Sequence, residues 1–147
     1  MIDIKVVTSD QEVLSCYDVM AQLHEKLIKG NFVSHVRRLE TKGYKLVCLI
    51  DDGTVKSVAG FHLNECIAWE NYLYIADLVT GSDSRSMGYG QKLMDWLINY
   101  AKEHGCDQIH LDSRVTRHST HKFYLNQDFI LAGYHFHMIF KDDIAEV

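Results

Sequence analysis

Apolar and polar positions alternate along this chain with two different periods, and the switches between them mark out the elements. Ile2 to Val7 reads as a first strand. After it, Val13, Cys16, Met20, Leu23 and Leu27 recur at helical spacing, which predicts one helix from Ser9 to a stop at Gly30. Ser9 and Glu12 have the spacing of a capping box, in which each side chain meets the other residue's backbone N–H. A shorter helix is predicted over Val33 to Lys42, ended by Gly43. "YKLVCLI" and "TVKSVAGFHL" flank Asp51-Asp52-Gly53, a hairpin signal because Gly53 accepts the positive φ of the turn. "NYLYIADLVT", Asn71 to Thr80, is the next strand. Strict alternation puts Tyr72, Tyr74, Ala76 and Leu78 on one side and Leu73, Ile75, Asp77 and Val79 on the other.

Gly88 to His104 carries the strongest helical pattern. Leu93, Leu97, Tyr100 and Ala101 face inward, Gln91, Asp95, Asn99 and Lys102 face water, and Gly105 caps the end. "QIHLDS" is a strand, "HSTHKFYLN" a short helix, and "FIL" and "YHFHMIF" are closing strands around Ala132-Gly133. The order β-α-α-β-β-β-α-β-α-β-β predicts an α/β fold, one mixed sheet with helices on both faces, spanning residues 1–147 as a single domain.

Composition narrows the function classes. Apolar residues make up 47% and proline is absent, which suits a chain with a sizeable core rather than a disordered one. A formal charge of −5 argues against a nucleic-acid partner, which calls for a basic face. Cys16, Cys48, Cys66 and Cys106 are widely spaced, with no C-x-x-C pair, so reduced, mostly buried thiols in a cytoplasmic protein are expected. Met1 to Val7 has no apolar signal region, and no apolar run approaches the ~20 residues that span a membrane.

The chemistry concentrates in Arg85-Ser-Met-Gly88-Tyr-Gly90, which joins a strand to the strongest helix. The first N–H groups of a helix have no backbone partner and sit at the positive end of its dipole, so they attract phosphate. Gly88 and Gly90 let a pyrophosphate approach the backbone closely, and Arg85 adds a charge. No G-K-[ST] follows Gly90, which excludes a Walker loop, and Leu93 stands where a dinucleotide fingerprint needs its third glycine. Local spacing alone also fits a plain flexible connection.

R-x-x-G-x-G after a strand ending "DLVT", followed by an amphipathic helix, a strand and "FY" in a short helix, resembles the GNAT superfamily of acetyl-CoA-dependent N-acetyltransferases. The resemblance covers nearly the whole chain and implies a mixed, mostly antiparallel central sheet. It implies acetyl-CoA as cosubstrate, its pantetheine arm paired with the backbone of Leu78, Val79 and Thr80 like an extra strand. It further implies a pyrophosphate held by the N–H groups of Ser86, Met87, Gly88, Tyr89, Gly90 and Gln91, with Arg85 nearby and Tyr124 close to the thioester sulfur. Phe123 and Tyr124 match the family's second motif. Asp128, Arg117 and Thr120 stand where many members have glycine, asparagine and alanine, and Arg117 remains able to grip a CoA phosphate. Ala76 stands where members often carry a glutamate as general base.

Acyl transfer needs a neutral amine, donors for the tetrahedral oxyanion and a proton for the departing thiolate. Tyr124 is the candidate acid, since a phenol is protonated at neutral pH; its ring also suits plain core packing. A strand N–H near Leu78 or Val79 is the candidate oxyanion donor. For the base, Asp77 lies beside Ala76 but on the opposite face by alternation, and a structural role suits it equally. Asp112 ends a neighbouring strand, and His135 and His137 share a face of a closing strand. A water chain ending on Asp77, Asp112 or His135 is the expected route for the amine proton, with an amine that binds already neutral and needs no base as the alternative. Tyr72, Tyr74 and Trp69 fit an aromatic wall for the acceptor or ordinary strand packing, and His121, beside "FY", fits a substrate channel. His118-x-x-His121 and His135-x-His137 have zinc-compatible spacings, but no cysteine or carboxylate completes a set, so no metal is expected.

The acceptor is a small-molecule or peptide amine whose identity the chain does not declare. An exposed edge at the closing strands suits a homodimer. The rival reading is a non-catalytic acyl-CoA-binding or sensing module, favoured by Ala76 and opposed by Tyr124.

Overall fold

The computed structural model describes residues 1–141. Five strands, β1 (Ile2–Val6), β2 (Lys45–Asp51), β3 (Thr54–Cys66), β4 (Glu70–Thr80) and β5 (Gln108–Leu111), form one sheet in sequence order. The first four run antiparallel, and β5 joins β4 in parallel, as a crossover through a helix requires. Asp52 and Gly53, both at positive φ, turn β2 into β3 as the sequence predicts. The helices are α1 (Asp10–Ser15), α2 (Tyr17–Leu23), α3 (Lys29–Glu40), α4 (Tyr89–Glu103) and α5 (His118–Asn126). The mixed, mostly antiparallel sheet expected from the sequence is therefore present.

The described chain separates into two compact parts, Met1–Leu111 and the segment from Asp112 onward. In the first part, Val13, Cys16, Val19, Met20, Phe32 and Val36 from α1 to α3 meet Leu46, Cys48, Val58 and Val79 in one buried cluster. Phe61, from the opposite side of the sheet, packs edge-on against Trp96 and Tyr100 of α4. Removing a fully buried side chain such as Phe61 or Leu97 would cost roughly 2–5 kcal/mol. The second part holds α5, where the Tyr124 ring meets Phe123 and, beyond the helix end, Phe129 edge-on at 5.6 and 5.8 Å.

Three expectations change. The single helix from Ser9 to Gly30 is two helices, broken at Cys16 and ended at His24. The break lets both pieces bury apolar residues against a twisted sheet. Gly30 does not stop a helix but lies in the first turn of α3, because Ile28 leaves the helical region first. The closing strands over "FIL" and "YHFHMIF" are not formed: residues 128–140 hold neither helix nor strand. Their apolar alternation is compatible with a strand, but a strand exists only through a ladder with a neighbour.

The capping box at Ser9 forms in both directions. Glu12 N–H donates to Ser9 Oγ at 3.1 Å, and Ser9 N–H donates to Glu12 Oε1 at 3.0 Å. Lys5 Nζ lies 2.7 Å from the other carboxylate oxygen and Thr8 N–H donates at 2.9 Å. Lys5, then the Thr8 and Ser9 amides, hold this carboxyl far below the usual carboxylate range. A carboxyl depressed by folding stabilises fully above its unfolded pKa of about 4.3, and loses that contribution as pH falls towards the folded value. The melting temperature of wild type should therefore drop more steeply with acid below about pH 4.3 than that of Glu12→Gln. Equal slopes would show that the cap is not linked to folding.

Among the described residues, no helix is long and apolar enough to cross a membrane. All four cysteines are free; Cys16 and Cys48 are buried as expected, whereas Cys66 is exposed.

Candidate active site

The β3–β4 register contains an extra residue. Asp77 pairs with Gly60 and Ile75 with Phe61, so Ala76 has no partner across the ladder. Such a bulge reverses the alternation beyond it. Tyr72 and Tyr74 face the same side as Asp77 and Val79, the side on which α1 to α3 pack. This corrects the strict alternation read from the sequence. Asp77 is not turned away from the aromatic residues but shares their face.

On that face Asp77 is held from two sides. Tyr44, just ahead of β2, donates its hydroxyl to Asp77 Oδ2 at 2.8 Å, and His24 Nε2 lies 2.5 Å from Oδ1. Gly60 makes the cluster sterically possible, since a Cβ there would overlap both the Tyr44 hydroxyl and the Asp77 carboxylate. Burial, with the Asp77 carboxylate beside it, drives the Tyr44 phenol well above its ordinary pKa, so it stays a donor. Neither His24 nor Tyr44 stands out in the sequence, because the three residues are 20 and 33 positions apart and meet only through the sheet.

Towards the other end of β4 the same face is aromatic. Tyr74 stacks on His62 at 5.4 Å, Trp69 stacks on His110 at 3.6 Å, and Tyr72 meets Trp69 edge-on at 5.1 Å. Burial lowers the His62 pKa, favouring the neutral ring. The expected group of Trp69, Tyr72 and Tyr74 is thus brought together. Sequence reading missed His62 and His110, although each lies on a strand in register with Tyr74.

The opposite end of β4 leads to the glycine loop. β5 accompanies β4 only from Tyr72 to Ile75. From Asp77 to Thr80, β4 is paired with β3 alone among the described residues, and Ala76 is unpaired, so one edge carries no strand over residues 76–80. Ser57, fully buried, steadies this half by donating to the Val79 carbonyl at 3.0 Å. A short 3-10 turn, Ser82–Ser84, follows, its Ser82 N–H bonded to Gln22 of α2 at 2.8 Å.

Arg85, Ser86 and Met87 are exposed; Ser86 has φ +67° and Gly88 φ +81°, so the backbone curls sharply into α4. Gly88 is the N-cap and offers no side chain to the first amides. The ladder begins with Lys92 N–H donating to the Gly88 carbonyl at 3.2 Å, so the Tyr89 and Gly90 amides precede it. The Tyr89 ring turns inward and donates its hydroxyl to Asp51 Oδ2 at 2.7 Å, pinning the helix start to β2. Arg85 Nε reaches the Thr80 carbonyl at 3.5 Å. A strand with an open edge thus runs into a helix N-terminus bare of side-chain caps, a geometry suited to an extended chain ending in a phosphate.

These features agree with what comparison with known proteins reveals. Residues 14–129 match the model of the acetyltransferase (GNAT) family. The chain belongs to this family.

An uncharacterized N-acetyltransferase of Bacillus subtilis (strain 168) is 30% identical over 141 residues, covering 92% of this chain and 97% of that protein. Among solved structures, the fold resembles a ribosomal-protein-alanine N-acetyltransferase of Brucella melitensis biovar Abortus 2308. The TM-score is 0.82 at 14% identity, over 96% of this chain and 100% of that one. It also resembles glucosamine-6-phosphate N-acetyltransferase of Arabidopsis thaliana, with TM-score 0.77 at 17% identity, over 96% and 99%. This GNAT chain is accordingly an acyltransferase; the family uses acetyl-CoA and acts on amines.

The remaining site residues lie in the part that begins at Asp112. Burial raises the Tyr124 phenol above its ordinary pKa, with Arg117 pulling the other way. His135 Nδ1 sits 3.4 Å from Asp112 Oδ1, both partly exposed. His121 Nε2 donates to the Arg114 carbonyl, which ties its ring to the turn before α5. The rings of His118 and His121 are 6.0 Å apart. Among the described residues no group of three or more histidine, cysteine or acidic side chains is placed to hold a metal ion.

Proposed function

We propose that this GNAT chain moves an acetyl group from acetyl-CoA to a primary amine by direct attack of the amine on the thioester. The observation that carries the reading is the open edge of β4 over residues 76–80 leading into the bare N-terminus of α4. The backbone of Leu78, Val79 and Thr80 runs along the edge that no strand covers, where a pantetheine arm would pair. Amides from Ser86 to Gln91 bind the pyrophosphate, and the Arg85 guanidinium adds charge to the same loop. Arg117 is a further cation for CoA. The strand N–H near Leu78 or Val79 stabilises the oxyanion. Tyr124 protonates the leaving thiolate, and its raised pKa keeps that proton available across the neutral range.

Trp69, Tyr72, Tyr74, His62 and His110 form the wall against which the amine's carbon skeleton rests. Aromatic faces suit a cationic or aromatic amine. The test is free-thiol release from acetyl-CoA in the presence of tyramine, spermidine, an amino sugar, free amino acids and an alanyl peptide, one at a time. Amine-dependent release with an acetylated product is the expected result. Tight acetyl-CoA binding with no release for any amine would favour a binding module instead.

A further inference from the structure

We propose that His24 is the general base of the acetyl transfer, oriented by Asp77, whose carboxylate is itself fixed by Tyr44. The inference rests on the acetyltransferase reading above and supplies the base that Ala76 does not.

Geometry comes first. His24 caps α2, and its backbone N–H still bonds the Met20 carbonyl, so the residue is held at the end of a helix whose Val19 and Met20 are buried. Gln22, two residues earlier, bonds the Ser82 amide at the start of the glycine loop. The end of α2 is thereby fastened along β4 between the loop and Asp77. The bulge at Ala76 brings Asp77 to this face, one residue from Leu78, where the thioester end of the arm is proposed to lie. His24 is 43% exposed and Asp77 14% exposed, so the ring is far more open to solvent than the carboxylate behind it.

The hydrogen bonds assign the ring nitrogens. An ionised carboxylate accepts and cannot donate. Asp77 Oδ2 accepts from Tyr44, and Oδ1 accepts from His24 Nε2–H. The lone pair then lies on Nδ1, the nitrogen not engaged by Asp77. A carboxylate on one ring nitrogen fixes the tautomer and stabilises the imidazolium once the other nitrogen has taken a proton. Asp77 from β4 bonds the ring, and Tyr44 from the turn before β2 bonds the same carboxylate.

His24 Nδ1 takes one proton from the bound ammonium and later yields it to solvent. The freed nitrogen lone pair attacks the thioester carbonyl, forming the C–N bond. The tetrahedral intermediate collapses with breakage of the C–S bond, and the nitrogen loses its second proton. The thiolate leaves with the bonding pair and gains a proton, giving the acetamide and free CoA thiol with one net proton released.

His24→Gln separates chemistry from structure, because its amide can still bond Asp77 but has no basic nitrogen. With the fastest acceptor among tyramine, spermidine and an alanyl peptide, transfer should fall by about 10²–10⁴-fold at neutral pH. The acidic limb of the rate profile should vanish, while acetyl-CoA affinity by calorimetry and the melting temperature hold. Nitrogen NMR of the imidazoles adds a readout that needs no acceptor. Wild-type His24 should show the Nε2–H tautomer, and Asp77→Ala should remove that preference. A His24→Gln protein that transfers at the wild-type rate with its acidic limb intact overturns the assignment and leaves acetyl transfer standing. An unchanged His24 tautomer in Asp77→Ala overturns the pairing. A wild-type protein that neither binds acetyl-CoA nor acetylates any of the three amines overturns the transferase reading, and this inference with it.

Discussion

Tyr124→Phe should turn over about 10²–10⁴-fold more slowly than wild type while binding acetyl-CoA almost equally well. The substitution keeps the ring that meets Phe123 and Phe129 edge-on and removes only the hydroxyl. A thiolate departing without a proton is a poor leaving group, so the loss falls on kcat rather than on cosubstrate affinity. Burial raises the phenol's pKa, so the wild-type acid should remain competent on the alkaline side of neutrality. Stopped-flow release of CoA thiol, run for both proteins across that range, measures it. Equal rates would mean that water or the ammonium of the tetrahedral intermediate supplies the proton.

Gly90→Val should weaken acetyl-CoA binding by about 10–100-fold in a protein that still folds. The estimate is the loss of one hydrogen bond to a charged phosphate, about 1.5–3 kcal/mol. Gly90 is a better probe than Gly88. Gly88 sits at φ +81°, where any side chain strains the backbone, so a binding defect there would be confounded with misfolding. Gly90 lies inside the first turn of α4 with an ordinary negative φ, and a valine tolerates that conformation while its branched Cβ crowds the space in front of the amides. Calorimetric titration with acetyl-CoA, beside a thermal melt of each protein, tests it. Unchanged affinity in a folded variant would move the pyrophosphate away from this loop.

Local rules carried much of the fold. The capping box at Ser9, the Asp52-Gly53 turn, the glycine-started helix α4 and the short helix from His118 depend on residues within one or two turns of each other, and each formed where its pattern stood. The failures share a different cause. Whether helix continues through Cys16, whether Gly30 ends one, and whether residues 128–140 pair into strands all depend on what the segment packs against. The bulge at Ala76 is the instructive case. Period-two reading has no way to insert an unpaired residue, and one insertion changes the face assigned to Asp77. The proposed site divided along the same line. The glycine loop was visible as a contiguous motif, whereas His24 and Tyr44 carry no motif and join Asp77 only through tertiary packing.

That unpaired residue also divides labour along β4. On the side of α1 to α3, the residues before it present rings and those after it present a carboxylate and core valine, and neither half has to keep step with the other. Variation at positions 72 and 74 can therefore reshape the surface proposed for the amine without re-registering the half that leads into the glycine loop. A family that keeps one donor while changing acceptors gains from such a joint. The strand behaves as two short modules spliced end to end, one open to diversification and one constrained by the cosubstrate.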